Sequence, residues 1–200
     1  MNDSVNRYWD NRFKRQTVKI LPGDYYVCDG QEMIVTVLGS CISACIQDQV
    51  TKIGGMNHFM LPTKKGHDYE QSVNITDDTD TARYGNVAME RLINDIVKLG
   101  GNRHSMRAKI FGGGRITNTR IDIGAGNISF VHEYLHTEGI QILSEDVGNI
   151  YPRKVYYIPE INEVYVKIIQ HMNNTTIIDR DISYIHSLDK YDTEGQVSFL

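Results

Sequence analysis

Hydrophobic and polar positions change their period several times along the chain, and each change marks an element. Three short strand-like runs lie close together: Glu32–Leu38 (EMIVTVL), Ile42–Asp48 (ISACIQD) and Ile53–Leu61 (IGGMNHFML). In the middle run Ile42, Ala44 and Ile46 alternate with Ser43, Cys45 and Gln47, the two-residue period of a strand with one wetter face. Together the three runs predict a β-meander. Between Arg83 and Leu99 the period lengthens: Tyr84, Ala88, Met89, Leu92, Ile93, Ile96 and Leu99 recur every three or four residues. That spacing predicts a helix, with Asp80 or Thr81 as its cap and Gly100-Gly101 as its stop. A second helix is predicted over Asn127–Glu138, where Ile128, Val131, Tyr134 and Leu135 share a face and Gly139 follows. Strand-like runs occupy Ala108–Gly112 between the helices, then Ile140–Val147, Lys154–Ile158 and Glu163–Ile169. Residues 62–80 read as a long polar loop. The fold class expected is α+β: a single-domain layered fold of mainly antiparallel β-sheets flanked by two principal helices, without the βαβ repeat of a dinucleotide fold.

The two ends lack such periods. Residues 1–19 mix aromatic and basic side chains ahead of a Leu21-Pro22-Gly23-Asp24 turn and are expected to be an N-terminal arm. Residues 20–170 are then expected to form the domain proper, and 171–200 a polar C-terminal segment, whose residues 181–200 hold Asp181, Asp189, Asp192 and Glu194 against only Lys190.

Charge and composition narrow the function. A net charge of -4 over 200 residues gives no basic field to attract nucleic acid or an anionic membrane. No run of about eighteen apolar residues suggests a membrane span, and the first residues do not resemble a secretory signal, so a cytoplasmic location without membrane insertion is expected. Three cysteines, Cys28, Cys41 and Cys45, then read as free thiols.

Two segments carry candidate chemistry. Leu38-Gly39-Ser40-Cys41 sets a cysteine straight after a glycine turn at the mouth of a strand, where backbone N–H groups of Ser40 and Ile42 are candidates to hold a developing oxyanion. Gly54-Gly55-Met56-Asn57-His58-Phe59-Met60-Leu61-Pro62 puts a histidine in an apolar run that strand pairing can bring beside the thiol. A thiol with an imidazole is the minimum apparatus for acyl transfer, because the thiolate is the attacking species. Each residue also has a plainer reading: Cys41 as a small core hydrophobe, His58 as a satisfied core histidine, or Cys41, Cys45 and His58 as three ligands of a zinc that lacks its fourth. Cys28 and Cys45 read as structural. Gly112-Gly113-Gly114 lacks the Lys-Ser/Thr and the spacing of a phosphate loop, so close backbone packing is preferred over a nucleotide site.

These segments resemble the chemoreceptor glutamine deamidase family, CheD. The resemblance runs through Lys19–Tyr26 (KILPGDYY), Val35–Cys41 (VTVLGSC), Ile53–Pro62 (IGGMNHFMLP), Arg83–Asn86, Ala108–Gly114 and Pro152–Val155. It departs at Gly124-Ala125-Gly126-Asn127, which lacks a preceding arginine, and after Ile169. It implies Cys41 as nucleophile, His58 as its base and Thr36 as the residue that orders the site. It further implies hydrolysis of selected glutamine side chains on bacterial chemoreceptors, with receptor methyl esters as further substrates, no metal or organic cofactor, and a phosphatase of the CheC type as a second partner. The competing functions are a cysteine peptidase or broad amidase, and a non-catalytic chemotaxis adaptor.

Overall fold

The computed structural model describes residues 6–61, 80–116, 122–170, 176–179 and 181–183, with the side chains of 80–83 outside that set. The expected loop at 62–80 and the capping side chains of Asp80 and Thr81 therefore lie outside the described residues. Ten strands and two long helices follow in chain order: β1 (Asn6–Asp10), β2 (Arg15–Lys19), β3 (Tyr25–Cys28), β4 (Met33–Leu38), β5 (Ile42–Asp48), β6 (Gly54–Asn57), α1 (Asp80–Lys98), β7 (Met106–Gly112), α2 (Ile123–Thr137), β8 (Gln141–Val147), β9 (Arg153–Ile158) and β10 (Glu163–Ile168).

The strands form two five-stranded sheets, ordered β1-β2-β4-β9-β10 and β3-β6-β5-β7-β8. Only the β2–β4 and β7–β8 ladders are parallel, so the expected α+β layering with mainly antiparallel sheets is what the chain adopts. The sheets stack, and both helices cover the second. Pleat parity assigns the side chains to layers. Ile42, Ala44 and Ile46 of β5 point toward the helices and pack with Met89, Leu92, Ile93 and Ile96 of α1 and Phe130, Val131 and Leu135 of α2. Each such fully buried aliphatic group contributes roughly 2 kcal/mol. Cys41, Cys45, Met56 and Met60 point the other way and meet Ile34, Leu38, Val155 and Tyr157 of the first sheet. On that sheet's outer face Met33, Val35, Tyr156 and Ile158 are covered by Tyr8 and Phe13.

This arrangement corrects the meander. β5 and β6 pair antiparallel, but β4 belongs to the other sheet and pairs with β2 and β9. The chain changes sheets through Gly39-Ser40-Cys41. The expected wet face of β5 is also buried, since every residue from Ile42 to Asp48 is enclosed between the two layers. The N-terminal arm is a hairpin in which β1 pairs with β2 and β2 extends the first sheet. Helix α2 begins at Ile123, a turn before the expected Asn127, with the Asp122 carboxylate accepting from the Ala125 N–H. Gly124 and Gly126, poor helix formers, are held there by packing: a Cβ on Gly124 would overlap the Gly113 carbonyl.

The β5–β6 turn is fastened by Asp48, which is fully buried. Burial opposes its charge, but hydrogen bonds from the Ser105 hydroxyl, the Val50 N–H, the Thr51 hydroxyl and the Asn102 N–H outweigh it and pull the carboxyl down to about 2. A depressed folded value means stability that is present above the unfolded carboxyl range and is lost as pH falls toward the folded value. Denaturant titrations are expected to show the parent chain losing about 2 kcal/mol more than Asp48→Asn between about pH 5 and pH 2. Equal losses would show that Asp48 does not carry this acid sensitivity.

Candidate active site

The sheet-to-sheet crossing is fixed through its carbonyls. The Gly39 carbonyl accepts from Gly114 N–H at 2.9 Å and the Cys41 carbonyl from Gly113 N–H at 2.7 Å. Between them the Ser40 carbonyl accepts from the Asn127 side-chain amide at 2.8 Å. The triple glycine is thus the close backbone packing expected of it. Gly112, at φ +110°, lies so near that a Cβ there would overlap the Cys41 carbonyl oxygen. With all three carbonyls satisfied, the Ser40 N–H meets a carboxylate: Asp181 Oδ2 lies 2.8 Å from both Ser40 N and Ser40 Oγ.

The strand pairing decides where Cys41 and His58 lie. Ile42 and Phe59 face each other across an antiparallel bridge, exchanging N–H···O bonds of 2.9 and 3.0 Å. Both of those side chains enter the core beneath the helices. Their predecessors, Cys41 and His58, therefore project together into the space between the sheets, as diagonal neighbours across the ladder whose backbones are roughly 7–8 Å apart. His58 is held at both backbone atoms by the Gly23-Asp24 turn, accepting from Gly23 N–H at 2.8 Å and donating to the Asp24 carbonyl at 2.9 Å.

The ring of His58 meets Thr36 of the other sheet, with Nδ1 2.7 Å from Thr36 Oγ1. That hydroxyl donates its single proton to the Ile20 carbonyl at 2.9 Å, so toward the imidazole it accepts. Nδ1 consequently carries the ring proton and Nε2 the basic lone pair. Thr36, Ser40, Cys41 and His58 are all buried, with Cys41 0% exposed.

Of the two expected oxyanion donors, one is corrected. The Ile42 N–H is used in the bridge to the Phe59 carbonyl and is not available to a reacting oxygen, because Ile42 opens a ladder and does not lie in the turn. The Ser40 N–H does point at an anion. Cys28 and Cys45 differ in character from a nucleophile: burial pushes the Cys28 thiol up to about 11 and raises Cys45 further, so both stay protonated. Among the described residues no group of three or more His, Cys, Asp or Glu side chains is arranged to hold a metal ion.

Two residues at the site escaped sequence reasoning. Asn127 joins its halves, since its Oδ1 accepts from Leu61 N–H at 2.8 Å while its amide reaches Ser40. Its place in a Gly-Ala-Gly-Asn helix start was visible, but its reach was not. Asp181 arrives from 140 residues away and gave no local signal.

Comparison with known proteins shows the family. Residues 60–168 match the family model described as CheD chemotactic sensory transduction. A protein of Herminiimonas arsenicoxydans named probable chemoreceptor glutamine deamidase CheD is 45% identical over 97% of this chain and 94% of its own length. One of the same name from Methylobacillus flagellatus is 46% identical over the same shares of the two chains. The chain belongs to the CheD family. A crystal structure of Bacillus licheniformis hypothetical protein YfiH aligns with TM-score 0.35 and 15% identity over 62% of this chain and 50% of that one, too loosely to bear on function.

Replacing Thr36 by valine keeps its shape and removes the acceptor for Nδ1–H. Nitrogen-15 NMR of the His58 ring is expected to show the Nδ1–H tautomer replaced by Nε2–H in Thr36→Val, with turnover reduced by about 10- to 100-fold. An unchanged tautomer would remove Thr36 from this role.

Proposed function

We propose that this chain hydrolyses the carboxamides of selected glutamine side chains on bacterial chemoreceptors, giving glutamate and ammonia, through a thioester on Cys41. The observation that carries the reading is the buried Thr36–His58 pair, which presents a basic imidazole nitrogen on the face that Cys41 shares. The names of relatives alike along nearly the whole chain support the substrate.

The cycle follows from these atoms. His58 Nε2 takes the proton of the Cys41 thiol, and the thiolate attacks the carboxamide carbon. The carbonyl oxygen becomes an oxyanion, for which the Ser40 N–H is the donor turned in the right direction. Protonated His58 gives its proton to the departing nitrogen, ammonia leaves and a thioester remains. His58 then takes a proton from water, the resulting hydroxide equivalent adds to the thioester carbon, and the thiolate leaves as glutamate forms. All three proton transfers run through one imidazole, so neither metal nor organic cofactor has a step to perform. A receptor methyl ester offers the same acyl carbon, with methanol as the leaving group.

Each turnover places one negative charge on a receptor helix, and like charges one turn apart repel. The chain would act on the cytoplasmic part of the receptor, with a CheC-type phosphatase as a further partner. Among the described residues no helix is long and apolar enough to cross a membrane.

Incubation with purified receptor followed by mass spectrometry is expected to show gains of about 1 Da per modified glutamine at intact chain length. Cys41→Ala is expected to lower the rate more than about 10³-fold while receptor binding persists. Receptor fragments would instead identify a peptidase, and full turnover by Cys41→Ala would exclude the thioester route.

A further inference from the structure

Asp181 lies in a segment read from the sequence as a polar tail, yet it is 2% exposed. Helical residues 176–179 and 181–183 bring it to the crossing, and the other described side chains of this segment are exposed or half-buried. One carboxylate oxygen accepts from the Ser40 N–H and from the Ser40 hydroxyl, each at 2.8 Å. The other stands 3.8 Å from Cys41 Sγ. The space it fills exists because residue 39 has no side chain: a Cβ on Gly39 would overlap this carboxylate and the end of the Ile116 side chain.

The geometry points to a carboxylate seat in the Gly39–Cys41 turn, filled by the chain's own Asp181, which makes the C-terminal segment an intramolecular competitor of substrate. The inference rests on Cys41 being the nucleophile proposed above. An acidic side chain in this place is incompatible with attack in three ways. It takes the N–H that the oxyanion needs. Its negative charge beside the sulfur opposes formation of a thiolate. It also helps leave Cys41 without exposed surface, so a glutamine arm can reach the sulfur only after Asp181 has left. The hydrogen bond that sets the His58 ring comes from elsewhere, since Thr36 holds the ring's Nδ1 from the opposite sheet. The γ-carboxylate of the product glutamate has the same chemistry as Asp181 and differs by one methylene in reach. The seat therefore binds the product end of the reaction, and the chain supplies a copy of that end from its own sequence.

The full chain carrying Asp181→Ala is to be treated with iodoacetamide beside the parent chain, and labelling at each cysteine followed by peptide mass spectrometry. The Cys41 thiolate displaces iodide and forms a thioether. Cys41 is expected to label at least about tenfold faster in Asp181→Ala, the factor carried by one lost charge-assisted hydrogen bond. Cys28 and Cys45 should keep their slow rates, and Ile182→Ala, at an exposed neighbouring position, should match the parent. Should Asp181→Ala label all three thiols alike, Asp181→Asn, which keeps the side-chain volume, decides by the same readout with a smaller acceleration at Cys41. Unchanged or slower Cys41 labelling overturns the seat. Faster Cys41 labelling in proteins that turn over no receptor glutamine keeps the seat and sinks the deamidase reading.

Discussion

The passage from β4 in one sheet to β5 in the other is made by Gly39, Ser40 and Cys41, with bends at Gly39 and Ser40, and every other feature of the site answers to how that crossing is satisfied. Such a crossing has no ladder partner for its backbone, so its carbonyls must be satisfied from elsewhere. Gly113, Gly114 and Asn127 do this from two other elements. The Ser40 N–H then meets a carboxylate, and the position of Cys41 and the polarity around it follow from how the backbone of this crossing is satisfied.

The same interior gives three cysteines different chemistry. Cys28 and Cys45 lie among apolar side chains and remain thiols because burial penalises the charged form. Cys41 shares their core but stands at its edge, one pleat step from a histidine whose tautomer is set by a threonine hydroxyl with a single proton to give. What differs among them is which polar groups the turn and the opposite sheet bring near, and all three sulfurs are equally hidden from solvent to within a few per cent.

Much of this was legible in the order of residues. Helix α1 announced itself through period, because one face lies against a core, and β5, β7, β8, β9 and β10 showed as short strand-like runs. The partition of β4 and β5 into separate sheets was not legible, since strands buried on both faces look alike and their partners are chosen by distant segments such as β9 and β7. The β1–β2 hairpin was hidden by its many charged residues, although Thr17 and Val18 are buried and Tyr8 and Phe13 cover the first sheet's outer face. The glycines of α2 argued against helix by propensity and were overruled by contact with Gly113. At the site, cysteine, histidine and threonine could be named from motifs, whereas Asp181 is one acid among several in a polar tail and only tertiary contact distinguishes it.

The pleat has two faces and nothing between them. The side chain of Cys41 lies between the sheets because the count of residues from the Ile42–Phe59 bridge back to the turn is odd. Adding or removing a single residue there would swing the sulfur beneath the helices, away from the imidazole, while leaving composition and local preference unchanged. Length variation in this stretch is therefore quantised: only even steps keep the thiol and the imidazole on one face of the sheet, and a one-residue slip parts them in a way that no conservative side chain could restore.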